Sequence, residues 1–188
     1  SSTETLAIEG LIDSIDPANK FLVVDGAGVM STRDPSVLFG IHYFERYGTV
    51  AQQIVNNTGN DPIDFNQTGI TDPNYTSTQD QITVLHDGEY IITYRVTSVT
   101  TAYNGPISID FAAYKATTST DSRFIIPGSV SSSTYKAVGD RVTVTATRIV
   151  FLLAGESISV GANVLPSSST SVVETVPNGS SLIIGSIK

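Results

Sequence analysis

The sequence predicts an all-β sandwich, and three observations carry that prediction. Apolar and polar residues alternate with a period of two along most of the chain. Turn-forming dipeptides separate the alternating runs. Polarity is supplied by Ser and Thr rather than by charge, since only 15% of the 188 residues are charged against a typical ~25%. Thr is β-branched and suits the exposed side of a sheet better than a helix.

The first 37 residues differ from the rest. "GLIDSIDPANKFLVVDG" holds two apolar runs around Asp16-Pro17-Ala18-Asn19, and Asp followed by Pro fits the first two positions of a type I turn. "MSTRDPS" then reads as a polar connector. The expectation is a short N-terminal β-hairpin or stalk over 1–37 and a head over 38–188; an arm packed on the same domain is equally compatible. "TVAQQIVNN" is the best helix candidate in the chain, but it is short and uncapped.

Beyond it the strands follow one another. In "LHDGEYIITYRVTSV", Tyr90, Ile92, Tyr94 and Val96 alternate on one face, while Ile91 and Val99 share the other with Thr93 and Arg95. "ISIDFAAY" sets Ile107, Ile109 and Phe111 opposite Ser108 and Asp110. "RVTVTATRIVFLLAG" sets Val142, Val144 and Ala146 opposite Thr143, Thr145 and Thr147. "ESISVGANV" repeats the pattern with Ile158, Val160 and Ala162. "SSLIIGSIK" is apolar on both faces, with Leu182, Ile183, Ile184 and Ile187. Asp87-Gly88, Asn104-Gly105 and Asn178-Gly179 offer residues that tolerate positive φ, as tight hairpins require. Gly139-Asp140 and Ala154-Gly155-Glu156 mark two further joins. Short strands at this spacing indicate a sandwich or jelly roll.

Composition excludes several functions. A net charge of −8 with ten basic residues argues against nucleic acid or anionic lipid as partner, both of which need clustered Lys or Arg. No apolar run approaches the roughly 18 residues that span a bilayer. The absence of Cys rules out a disulfide framework and thiolate chemistry; an extracellular animal domain more often carries Cys, which favours a bacterial or viral source. The two His, His42 and His86, stand in no ligand-like spacing. "GAGVMS" lacks the third Gly of a dinucleotide fingerprint, and no nucleophile elbow, zinc-protease or phosphate-loop motif occurs. No carboxylate pair is singled out for glycosidase work. No enzyme and no cofactor are expected. Asp72, Asn74 and Asp80 in "TDPNYTSTQDQ" are hard oxygen donors of the kind that suits Ca²⁺, but without the spacing of an EF-hand they read better as ordinary turn formers, and no tight site is expected. Asn-x-Ser/Thr triplets begin at Asn56, Asn66, Asn74 and Asn178. The loops "NNTGNDPID" and "LPSSST" lie where a receptor or sugar would bind; Tyr75, Tyr103 and Tyr135, in or near candidate loops, could stack on sugar but read better as partly buried rings than as site residues.

"PIDFNQTGI", "ITVLHDGEYIITYRV", "RFIIPGSVSS", "RIVFLLAGESISV" and the final "SLIIGSIK" together resemble the tumour-necrosis-factor-like jelly roll. They are most similar to its bacterial and phage branch, the heads of spore-surface collagen-like glycoproteins and of bacteriophage spikes. The resemblance covers about residues 38–188. Gly88-Glu89-Tyr90 matches the family's Gly-x-Tyr, and Leu152-Leu153-Ala154-Gly155-Glu156 matches its Leu-x-x-Gly-Asp with Glu in place of Asp. The resemblance implies a homotrimer whose contact is lined by Tyr90, Ile92, Tyr94, Val96, Leu182 and Ile184. On the residues alone, Tyr90 and Tyr94 are as readily core rings with hydroxyls at the rim. It further implies a non-enzymatic surface head on a virion or, alternatively, on a spore or in the extracellular space. The partners would be two sister chains, a capsid or coat base protein, and a host receptor or glycan. A monomeric carbohydrate-binding module is the competing reading.

Overall fold

The computed structural model describes residues 21–24, 30–33, 42–54, 61–117, 123–166 and 169–187. The chain divides into two compact units, Ser1–Gly40 and Ile41–Lys188. In the first, β1 (Phe21–Val24) pairs antiparallel with β2 (Met30–Arg33), Phe21 opposite Arg33 and Val24 opposite Met30. A hairpin is therefore present, but its second strand is the stretch expected to be a connector. A ladder is made by backbone groups, so a polar stretch can supply a short strand. The turn expected at Asp16–Asn19 lies outside the described residues.

The second unit is all β, with no helix among the described residues. Its strands are β3 (Tyr43–Gly48), β4 (Gln53–Ile54), β5 (Asp61–Pro62), β6 (Gln67–Thr68), β7 (Tyr75–Ser77), β8 (Gln81–Val84) and β9 (Gly88–Ala102). They continue with β10 (Ile107–Ala116), β11 (Arg123–Ile125), β12 (Ser131–Tyr135), β13 (Arg141–Leu152), β14 (Ser157–Leu165), β15 (Val172–Thr175) and β16 (Ser180–Ile187). One sheet runs β4-β15-β9-β16-β3-β6, with β13 on the free side of β9. The other runs β11-β10-β14-β8-β7, with β12 on β10 and β5 on β14. The described part of "TVAQQIVNN" contains β4 and no helical turn; pairing Ile54 opposite Val173 buries Ile54 as a helix on the surface would not.

The two sheets bury their facing sides against each other. Phe44, Tyr90, Ile92, Tyr94, Val96, Val144, Leu152, Val173, Leu182 and Ile184 meet Ile82, Val84, Ile107, Ile109, Phe111, Tyr135, Ile158, Val160 and Val164 in one core. Each large apolar side chain so enclosed contributes roughly 1.5–3 kcal/mol. The sheets need no covalent staple.

The turn dipeptides stand at strand ends, yet they do not make the expected tight hairpins. The Asp87-Gly88 join carries the chain from β8 in one sheet to β9 in the other, and Asn104-Gly105 carries it back to β10. Gly139-Asp140 and Ala154-Gly155 likewise join strands of opposite sheets. Gly105, Gly139 and Gly155 adopt positive φ, at 125°, 86° and 86°, whereas neither Asp87 nor Gly88 does, so the expected conformation holds at Asn104-Gly105 and not at Asp87-Gly88. Around Asn178 (φ 60°) the chain loops out between β15 and β16, which both pair with β9, end to end along the same edge. The loop is pinned because Thr97 N–H donates to Gly179 O at 3.0 Å and Val176 N–H to Thr97 O at 2.8 Å.

The acidic residue of the Leu-x-x-Gly-Glu stretch has a local task. Glu156 is buried; its carboxylate accepts Leu153 N–H at 2.9 Å and pairs with Lys115 Nζ at 3.0 Å. It thus closes the turn before β14 and ties it to β10.

Candidate functional site

All six residues expected at a contact between copies point into the core of the single chain. Tyr90, Ile92, Tyr94, Val96, Leu182 and Ile184 expose at most 3% of their surface. A side chain already enclosed by its own sandwich has no area left to bury against a neighbour. The Tyr94 hydroxyl lies 2.7 Å from Ser129 O and 3.0 Å from Phe111 O, a bridge across the core; burial pushes the phenol up to about 12. Tyr90 donates to His86 O at 2.7 Å. These tyrosines are core rings with satisfied hydroxyls.

The unfinished surface is the other side of the same strands. Register places Ile91 of β9 between Ile149 of β13 and Gly185 of β16, with Tyr43 of β3 opposite Gly185. One step toward the start of β9, Phe151 and Ile187 flank Glu89. Ile149 is 64% exposed, Phe151 57%, Tyr43 40% and Ile187 39%, while Ile91 and Ile183 are half-buried. Gly185 has a steric reason: a Cβ there would stand 2.7 Å from the Tyr43 ring, so glycine leaves that ring its room on this face. Further along, the same face turns hydrophilic. Thr93 pairs with Thr147 and Thr97 with Thr143, each through hydroxyls 2.9 Å apart, beside exposed Arg95 and Thr145. Half of this face is thus apolar and half is hydroxyl-lined. The sequence signal for the apolar half was the break in alternation at "RIVFLL" and "SLIIGSI", where both sides of a strand become greasy.

A cleft opens at one end of the sandwich, beside Glu89 and Ile187, with a volume of about 280 Å³. It brings together His42 and His86, which sequence spacing had kept apart. His42 precedes β3 and His86 lies in the crossing to β9, so only the pairing of sheets makes them neighbours. The His42 ring is held: its Nδ1 stands 2.6 Å from Asp72 Oδ2, and Asp72 Oδ1 accepts the Asn74 backbone N–H at 2.8 Å and the Asn74 side-chain amide at 2.7 Å. Burial opposes ionisation of Asp72, but the hydrogen bonds from Asn74 and His42 outweigh it and hold the carboxyl below its ordinary range. Tyr75 and Tyr90 pack edge to face at 6.1 Å along the cleft. Burial, with Tyr90 adding to it, raises the Tyr75 phenol to about 12.

The three oxygen donors considered for calcium are used differently. Asp72 and Asn74 bond to each other and to His42, whereas Asp80 accepts the Thr78 hydroxyl at 2.7 Å and pairs with Arg123 at 3.3 Å. Among the described residues no group of three His, Cys, Asp or Glu is arranged to hold a metal ion. Tyr75 and Tyr135 are buried and Tyr103 half-buried, so Tyr75 and Tyr135 offer no face to a sugar. Asn66 is occupied: it accepts Thr49 N–H at 2.7 Å and donates to Thr49 Oγ1 at 2.8 Å.

No family model matches the chain, and no curated protein matches it. Among solved structures it is similar to the Eiger TNF of S. frugiperda, with a TM-score of 0.58 at 12% identity over 79% of this chain and 93% of that one. It is similar also to murine APRIL, with a TM-score of 0.53 at 11% identity over 78% and 99% of the two chains. At such identity what is shared is architecture: this chain has the tumour-necrosis-factor-like jelly-roll fold.

Proposed function

We propose that this chain is a non-enzymatic homotrimeric surface head, the head of a bacteriophage spike carried on its N-terminal 37 residues. The observation that carries the reading is the outward apolar face of Tyr43, Ile91, Ile149, Phe151 and Ile183, with Ile187 at its rim beside the cleft. A lone soluble chain has no use for exposed Ile and Phe gathered on one face of a sheet, and such patches mark contacts. A second apolar surface supports a ring rather than a dyad. Phe124 and Ile125 on the edge strand β11 and Val130 after it are also exposed, near β13 where the Arg148 guanidinium donates to Gly128 O. Two different patches on one chain suit a heterologous contact, which closes into a ring when the rotation allows. The family resemblance makes that ring a trimer, with a capsid or base protein below it and a host receptor as its target.

Light scattering of the purified chain tests the assembly. A mass of about three 19.9 kDa subunits is expected, and a single-subunit mass overturns it. Antibody raised to the head should label virion surfaces; labelling of spores instead moves the reading to a spore-surface filament.

A further inference from the structure

We propose that the cleft holding both histidines binds one residue of a neutral saccharide. It is complete within one chain, so the proposal does not rest on the trimer. Four separate segments build it: His42 before β3, Asn74 and Tyr75 at the start of β7, the crossing from His86 to Glu89, and the end of β16 at Ile187. The wall is braced before any ligand arrives by two buried tyrosines, which support it without offering a ring face. The Tyr75 hydroxyl donates to His42 O at 2.8 Å and the Tyr90 hydroxyl to His86 O at 2.7 Å. The Asp72 carboxylate fixes the orientation of the His42 ring and occupies its Nδ1, which leaves Nε2 as the ring atom available to a ligand.

The chemistry of the wall selects the ligand. His86 and Glu89 are exposed, and their side chains make no hydrogen bond among the described residues. Asp87 commits one oxygen to Ala154 N–H at 2.7 Å and keeps the other. Carboxylates at the rim of a chain with net charge −8 repel phosphate and other anions. A tight divalent site needs three or four converging ligands, and the described residues converge no such set. Imidazoles beside carboxylates suit a group that donates and accepts at once, which is the hydroxyl. A volume of about 280 Å³ falls just below the usual range of ligand pockets, roughly 300–1,000 Å³, and limits the occupant to one sugar ring.

The test uses the fact that the chain has two histidines and both line the cleft. Their ring signals are followed by NMR while methyl glycosides of glucose, galactose, mannose, fucose and N-acetylglucosamine are titrated in turn. At least one glycoside should move both rings saturably. Glu89→Gln, at an exposed position that the fold tolerates, should weaken that glycoside about tenfold, the effect of one charge-assisted hydrogen bond. If no glycoside moves either ring up to its solubility limit, the proposal fails. It fails also if Zn²⁺ alone moves both rings and no glycoside does, since the cleft would then be a metal site.

Discussion

The two sides of strand β9 have the same chemical grammar and opposite fates. On the inner side Tyr90, Ile92, Tyr94 and Val96 are closed over by the opposite sheet, and both tyrosines have found carbonyl partners. On the outer side Ile91 lies among Ile149, Phe151, Tyr43 and Ile187, which keep between 39% and 64% of their surface. The first side is finished by folding and the second is not. Apolarity therefore marks two different things in one strand, and only the partner across each face tells them apart.

Charge placed on either side should separate folding from assembly. Tyr94→Asp has the largest expected effect: a buried ring is lost and an unpaired carboxylate enters the core. The cost is about 5 kcal/mol or more, a large share of the 5–15 kcal/mol that holds a domain. Circular dichroism should show an unfolded chain rather than folded monomers. Phe151→Asp and Ile149→Asp should do the reverse, keeping the jelly-roll spectrum while sedimentation shows at least a tenfold weaker association, since each removes roughly 1.5–3 kcal/mol of burial per contact. A Phe151→Asp chain that stays fully associated would move the contact elsewhere.

Smaller changes sharpen the account of the inner side. Tyr94→Phe strips the donor from Ser129 O and Phe111 O and should cost about 1–3 kcal/mol in urea unfolding without altering the subunit mass. Thr100 is buried in β9 with a hydroxyl that has no partner among the described residues, while its backbone is bonded to Asp140 and Gly139 at 3.0 and 2.8 Å. Thr100→Val keeps the shape and should raise stability by up to about 1 kcal/mol.

Acid should loosen the end with the cleft. Because folding lowers the Asp72 pKa, its contribution is fully present above the unfolded value near ~4. It is lost as pH falls through the lower folded value. Asp72→Asn should leave stability flat through that window where the parent chain declines, the smallest of these differences, read from thermal midpoints.

Much of the sandwich was legible along the chain. Alternation located β9, β10, β13, β14 and β16 and sorted their residues into two sides correctly: Val144 is buried and Thr143, Thr145 and Thr147 exposed. Glycines placed the ends of strands. Three things escaped. Met30–Arg33 paired despite its polarity, because a ladder needs backbone groups more than greasy side chains. The turns crossed between sheets rather than doubling back. His42 and His86 met in one cleft, although 44 positions separate them (86 − 42).

Period and turn chemistry are local properties, set by which side of a pleat each Cβ takes and by which residues tolerate positive φ, so this sequence determined its long strands and the joins between them by itself. Which side of β9 became the interior, which sheet each strand joined and which side chains share the cleft were decided by pairing between segments far apart in the chain. Those choices depend on what lies across from a residue, and no window along the polypeptide contains that neighbour.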